Sequence, residues 1–470
     1  MPRVQTEHAL TLGHANATFI ADAESAQETL ESILATYGIV FVKPGTYAFS
    51  DTWAPASGYK VLGDPHDPPT FQLAAGVNKS VITNATALTG GITSNVTLKK
   101  LIIDQQGAEQ TAGGGIVPTG IQGWLIEDVV IRKSYRFNFL ALHQAVGVPN
   151  NTGIVTFTRD SDTATGSGTL FTTELAVGDI LKSAGAQFGR VESIESDTSL
   201  TLTMPWGYTT ESGVTYKTIQ PNSGNTIRRV RFEGTIAEAD ENGGIDAAGF
   251  GLFDDSTLEH LEGLDTTAGG CAIVLDHCRN TELNYPVGHD TGNSGVSLET
   301  CEDCTVTEPS CDDNTDNGTQ LISGTSRCEV IGGSGKRNTK DGFVVTYNTT
   351  AAGVPRSNVF RGVKGELNDG YAVRVNGADN TEIDDADALN NNTGGVIVNE
   401  INSRVPDATN IHHSRMVDDR GASESQDRGV WIVSSTDATV DNVTALDSQH
   451  ALGGIVDDGT NTTKTNNITE

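Results

Sequence analysis

The sequence predicts an all-β protein, a right-handed parallel β-helix (solenoid) with an N-terminal capping helix and an inserted small β domain. Three observations predict it: short apolar strands recur at a near-constant interval, turn residues and not helical patterns fill the gaps, and one block of alternating strands interrupts the series. Beyond residue 270 the strands are AIVL from Ala272, GVSL from Gly295, QLIS from Gln320, FVVTY from Phe343, YAVRV from Tyr371, VIV from Val396, VWIV from Val430 and GIV from Gly454. Most are spaced by about 24 residues, the interval of a β-solenoid coil. No coil can bury its own apolar strand, whereas coils stacked about 4.8 Å apart share a continuous core. Two longer intervals, around Val354 and Ser423, read as loops thrown out from a corner.

Earlier segments fit the same scheme: VLG from Val61, VTLKKLIID from Val96, WLIEDVVIRKS from Trp124 and TIRRVRFEG from Thr226. Leu125–Ile126 and Val129–Ile131 flank Glu127 and Asp128, as expected where the chain turns a corner. Residues 23–37 are the exception. Ala26, Leu30, Ile33, Leu34 and Tyr37 share one helical face, Gly38 ends it, and Asp22 or Ser25 starts it. A helix there would cover the open edge of the first coil, which otherwise invites aggregation.

That helix runs into GIVFVKPGTYAFSD, with Lys43, Pro44, Gly45, Thr46 and Tyr47 forming a strand-and-turn signature. The opening resembles that of pectate-lyase-like β-helix proteins, a group that includes viral tailspikes, bacterial lyases and adhesins. The resemblance implies the fold and leaves the activity open. For viral members it also implies a parallel homotrimer.

Residues 152–220 break the coil series with alternating strands separated by Gly, Ser and Asp turns, which predicts a compact β-barrel or sandwich. GSGTLFTTELAVGDIL followed by VESIESDTSLTL is similar to a small module of tail fibres and other structural proteins of tailed viruses. The expected organisation is therefore an arm over 1–22, the capping helix and first coils over 23–151, the insert over 152–220 and the main coils over 221–470. The ends of the insert, Asn151 and Asn222, should lie close together so that the stack can resume.

Net charge is −31, from 61 acidic against 30 basic residues, spread along the chain. Self-repulsion of this kind opposes compaction in dilute buffer, while molar salt shortens screening to about 3 Å. A halophilic source follows. Nucleic acid is disfavoured as a partner, and no stretch approaches a membrane span. Met1–Ala21 lacks the apolar core of a signal peptide, so synthesis in the cytoplasm is expected.

Aligning GLFDDS with AIVLDH and GVSLET puts Asp254 or Asp255, Asp276 and Glu299 at corresponding positions of three successive coils. Carboxyls one coil apart would approach the separation of about 5 Å used by retaining glycosidases, and two coils apart the inverting limit of about 9.5 Å. His277 and His289 are nearby acid or base candidates. Paired acids also recur at Asp312–Asp313, Asp384–Asp385, Asp418–Asp419 and Asp457–Asp458, where an acidic surface would place them for solvation alone. The polygalacturonase motifs are missing; Gly288, His289 and Asp290 match one of them in part. All six cysteines fall between Cys271 and Cys328. Cys278 with Cys301 and Cys304 with Cys328 stand one coil apart, consistent with stacked buried thiols. No cofactor is expected and no metal ligands are assigned.

The reading that unites these features is a structural surface appendage of a haloarchaeal tailed virus, on tail or capsid. It would be exposed on the virion, trimeric, attached to other virion proteins and in contact with host cell-surface glycan or glycoprotein. The alternatives are a glycan-cleaving hydrolase or lyase using Asp254, Asp255, Asp276 and Glu299, and a non-enzymatic β-helix protein of a cell envelope.

Overall fold

The computed structural model describes residues 17–19, 26–86, 91–143, 148–185, 187–235, 246–264, 266, 269–348, 353–418, 428–446 and 454–469. It is an all-β parallel β-helix whose chain divides into two compact units. One comprises Met1–Val146, Asn222–Val274 and Thr281–Asn293; the other comprises Gly147–Pro221, Leu275–Asn280 and Ser294–Glu470.

In the first unit the strands Ile39–Val42, Lys60–Gly63, Thr97–Asp104, Leu125–Ser134, Thr226–Thr235 and Thr257–Leu264 stack in parallel, followed by Glu282–Asn284 and Val287–His289. Their register aligns Val40, Val61, Leu98, Ile126, Ile227, Leu258 and Leu283 in one buried column. Apolar residues at matching coil positions therefore bury one another, which is the source of the recurring apolar pattern. The helix Ala26–Tyr37 carries Leu30, Ile33 and Leu34 buried on one face. Its proposed start at Asp22 or Ser25 lies outside the described residues.

Glu127 and Asp128 do not interrupt their strand, which runs unbroken over Leu125–Ser134. The corner is made by Asp128 alone, in the left-handed region at φ 56°. The register places Lys100, Arg229, His260 and Tyr285 at the same corner, each with φ between 51° and 56°. A single left-handed residue turns the strand and lets pairing continue on both sides.

Just before that corner, Lys99, Glu127, Arg228 and Glu259 form an outward ladder of alternating charge. Glu127 meets Arg228 Nη2 at 2.8 Å, Lys99 Nζ at 2.5 Å and also Arg229. Burial alone would raise the Glu127 carboxyl, but these cations override it and hold it down at about 2, from an ordinary 4.5. A folded pKa below the unfolded one stabilises the native state above pH 4.5, and the contribution disappears as pH falls toward 2. Acid titration of stability should lose on the order of 2 kcal/mol in this window, less for the part screened by solvent. In Glu127→Gln that portion of the acid dependence should be missing, as read by urea midpoints between pH 5 and pH 2.5.

In the second unit the strands from Val296–Glu299 to Ile455–Asp457 stack in parallel, aligning Leu298, Leu321, Val345, Val375, Val398 and Ile432. A second parallel column runs through Val306, Val330, Phe360, Ile383, Ile411 and Val440. Beside it Cys311, Gly335, Gly365 and Ala388 keep a column of small residues. A Cβ on Gly365 would meet Ala372 Cα at 2.5 Å, so the facing strand fits only against glycine there. Of the two expected loops, that around Ser423 lies outside the described residues, as do 349–352 next to Val354.

Where the coils of this unit turn, Asn314, Asn338, Asn368 and Asn391 stack as a buried ladder. Each side-chain amide donates to the next Oδ1 at 2.9–3.0 Å. The ladder satisfies backbone groups that the turn removes from strand pairing, as Asn338 N and Asn368 N also donate to the next Oδ1, at 3.0 and 3.1 Å. All six cysteines are buried. Burial first, and the neighbouring thiols second, push Cys301 and Cys328 well above the ordinary thiol range, which suits packing and not reactivity.

The same unit holds a separate antiparallel sheet of seven strands between Ile154 and Ile219, with its own core around Phe157, Phe171, Leu181, Leu200, Trp206 and Tyr216. Phe157 and Trp206 stack at 4.2 Å. Asn151 closes the base of this domain, its backbone N–H bonding to Tyr216 O and its Oδ1 accepting from Thr218 N, both at 2.9 Å.

Candidate functional site

Asp276 and Glu299 are the last residues of the strands Ile273–Asp276 and Val296–Glu299. His277 N donates to Glu299 O at 2.9 Å, the step that in a parallel ladder links residue i+1 to the partner of i. Asp276 and Glu299 therefore occupy equivalent positions of successive coils, about 4.8 Å apart along the stack. Glu299 Oε1 accepts from Ser297 Oγ at 3.1 Å, and Gln320 Nε2 donates to the same hydroxyl at 3.0 Å.

Asp254 and Asp255 are placed differently from the alignment that grouped them with Asp276. The corresponding strand, Ala248–Gly251, ends at Gly251, and Asp254 lies three residues farther on, in Phe253–Asp254. That strand pairs with Asn222–Ser223 in a separate four-stranded sheet. Asp254 is buried, and Asp255 is an exposed left-handed turn residue at φ 48°. The acid content of GLFDDS favours that alignment, but strand ends set the register.

The antiparallel domain docks on the coils next to Asp276. Tyr208 Oη lies 2.6 Å from His277 Nε2, and His277 Nδ1 lies 2.6 Å from Asp276 Oδ1. Phe188 meets the His277 ring edge-on at 5.0 Å. Thr203 Oγ1 donates to Glu302 Oε1 at 2.6 Å, and Arg159 Nη2 to Tyr347 Oη at 3.2 Å. His277 is left-handed at φ 54°, so its side chain departs from the strand alternation and turns toward Tyr208.

This Tyr208–His277–Asp276 chain is asymmetric in exposure. The His277 side chain is 14% exposed and that of Asp276 48%. Burial, followed by the Asp276 charge, holds the Tyr208 hydroxyl above its ordinary pKa, so it remains a neutral donor. Both ring nitrogens of His277 are occupied, one by the domain and one by the carboxylate. Chemically the result is a fixed, oriented carboxylate at the solvent boundary beside a second one on Glu299. His289 lies in the other unit, 2.8 Å from Asp290. Tyr208→Phe should cost about 1 kcal/mol, because it leaves His277 Nε2 without that hydroxyl in a mostly buried place. Denaturant unfolding checks this, and an unchanged midpoint would mean that water replaces the hydroxyl.

A family model described as rhamnogalacturonase A/epimerase, pectate lyase-like, matches residues 15–233. No curated protein matches the sequence. Among solved structures, the A-module of mannuronan C-5 epimerase AlgE6 from Azotobacter vinelandii is similar with a TM-score of 0.50 and 13% identity, covering 96% of this chain and 95% of that chain. The AlgE4 A-module of the same organism has a TM-score of 0.49 and 14% identity, covering 95% and 94%. Tailspike gp61 of Pseudomonas phage phi297 has a TM-score of 0.43 and 9% identity, covering 90% and 68%. At 13% identity the AlgE6 likeness bears on the fold alone, the parallel β-helix described above.

Proposed function

We propose that this chain is a surface appendage of a haloarchaeal tailed virus that contacts host cell-surface glycan through the face where the antiparallel domain meets the coils. One observation carries the reading. Tyr208 and His277 hold Asp276 in place while leaving half of its side chain open to solvent, with Glu299 at the same position of the next coil. Paired carboxylates on a rigid sheet accept hydrogen bonds from sugar hydroxyls, and preorganisation lowers the cost of ordering them on binding. The pectate-lyase-like family model supports saccharide as the ligand class. The module-like pattern of residues 152–220 and the acidic surface support a virion of a salt-loving host. Attachment to other virion proteins and a homotrimeric state belong to the same reading.

Proteomic analysis of purified virions tests the location: the chain is expected among the structural proteins, and its absence from them would remove the viral half of the proposal. Circular dichroism tests the halophilic half. Loosening is expected on moving from molar salt to 0.01 M, where screening lengthens to about 30 Å. A spectrum unchanged between the two would contradict it.

A second reading, glycan cleavage, is favoured by the adjacent-coil spacing of Asp276 and Glu299, which falls near the retaining separation of about 5 Å. Incubation with host glycan in molar salt separates the two. Binding without oligosaccharide release supports the attachment reading, while release that Asp276→Asn abolishes supports catalysis.

A further inference from the structure

Far along the coils of the second unit, three donor atoms converge on the outward face in an arrangement the glycan reading does not use. Asp384 ends the strand Glu382–Asp384, and His412 ends Asn410–His412, its parallel neighbour. His413 occupies the corner in the left-handed region at φ 50°. In an unbroken strand His412 and His413 would face opposite sides; the left-handed corner brings both rings to one side, with centroids 5.1 Å apart. Asp384 Oδ1 lies 3.0 Å from His412 Nδ1 and 3.0 Å from His413 Nδ1, and the two nitrogens are 3.2 Å apart.

Proton counting makes this triangle unusual. Glu382 Oε1 stands 3.4 Å from His412 Nε2 and favours the tautomer with the proton there, which leaves His412 Nδ1 as a bare lone pair. With neutral rings, His413 Nδ1 carries the one proton available among the three atoms, and the Asp384 Oδ1–His412 Nδ1 edge is left lone pair against lone pair. A cation above the triangle satisfies all three. Its edges fall in the range spanned by octahedral and tetrahedral ligands at about 2.1 Å from a metal, roughly 3.0 to 3.4 Å. The surroundings also match those of a ligand set. Glu382 backs one histidine, and Arg361 Nε, 3.5 Å from Asp384 Oδ2, occupies the other carboxylate oxygen and leaves Oδ1 for the site. The His413 side chain is 60% exposed, so an ion can enter directly from solvent.

We propose that Asp384, His412 and His413 bind one divalent transition ion of the zinc class, through one carboxylate oxygen and two imidazole Nδ1 atoms, with the remaining positions open to water. Imidazole with carboxylate suits zinc, cobalt, nickel or copper better than magnesium or calcium. Because the ligands come from two coils, the ion clips those coils together and its binding energy adds to their stability.

The test uses the full chain, stripped with a chelator and titrated with Zn²⁺ by calorimetry in molar NaCl, with Co²⁺ followed by its visible absorption. One ion per chain is expected, along with a visible cobalt band and a higher thermal midpoint in the presence of zinc. His412→Gln with His413→Gln should abolish all three. Glu382→Gln, which touches no ion, should weaken binding about 10- to 100-fold with the stoichiometry kept. A wild type that takes up no ion, or a folded double variant that binds as the wild type does, would overturn the proposal. Circular dichroism confirms that each variant is folded. If the double variant does not fold, Asp384→Asn alone decides between loss of the cobalt band, as expected, and its retention, which contradicts the assignment.

Discussion

Replacing Asn368 by Ala should lower stability by about 2–4 kcal/mol, because it breaks the buried amide ladder in the middle. Asn368 Oδ1 accepts from both Asn338 N and Asn338 Nδ2 at 3.0 Å. Its Nδ2 donates to Gly335 O and to Asn391 Oδ1, both at 2.9 Å. Alanine removes all four side-chain bonds and leaves a space closed on both sides by neighbouring coils. The Asn338 backbone N–H then loses its acceptor inside the turn, where orphaning a buried donor costs about 1–3 kcal/mol. Urea unfolding of wild type and variant measures the difference. A loss under about 1 kcal/mol would mean that water enters and replaces the amide.

Replacing residues 152–220 by a short Gly–Ser linker should leave a β-helix with its strand signal but lower its stability by roughly 3–5 kcal/mol. The closure term is small, about 0.6 kcal/mol per doubling of loop length. The loss comes from the docking side: His277 gives up Tyr208 and Phe188, Glu302 gives up Thr203, and Tyr347 gives up Arg159. Each polar loss is worth about 1 kcal/mol, more where a buried carboxylate such as Glu302 is involved. Far-UV circular dichroism with a denaturant midpoint reads both parts. A midpoint equal to wild type would show that docking adds nothing to stability, and collapse of the whole chain would move the domain boundary.

The coils were legible because their chemistry is repetitive. Val61, Leu98, Ile126 and Ile227 sit in strands that recur, and recurrence survives uncertainty about any single strand. The corner at Glu127–Asp128 was legible as a corner, but not the continuity of the strand through it. Backbone geometry, and not composition, keeps the strand continuous there, with one residue in the left-handed region. The site was less legible for the same reason. The grouping of Asp254 with Asp276 followed acidic residues, whereas the register follows strand ends, and Gly251 ends the strand in question. Tyr208 sits in PWGYTT, which reads as a turn, and its partner His277 is 69 residues away, just past the end of the strand Ile273–Asp276. Nothing local in either segment marks the pairing. Likewise His412–His413 and Asp384 are separated by a coil of irregular length, and only parallel pairing brings them together.

Affinity for host-surface glycan decides whether the Asp276–Glu299 face binds saccharide. Wild-type protein and the double variant Asp276→Asn, Glu299→Gln should be compared by calorimetry or surface binding in molar salt, on glycan extracted from haloarchaeal cell envelopes. Saturable binding by the wild type is expected, with at least tenfold weaker binding by the variant, a loss of about 1.4 kcal/mol or more. Equal affinity of the two folded proteins, or no binding by the wild type, would contradict it.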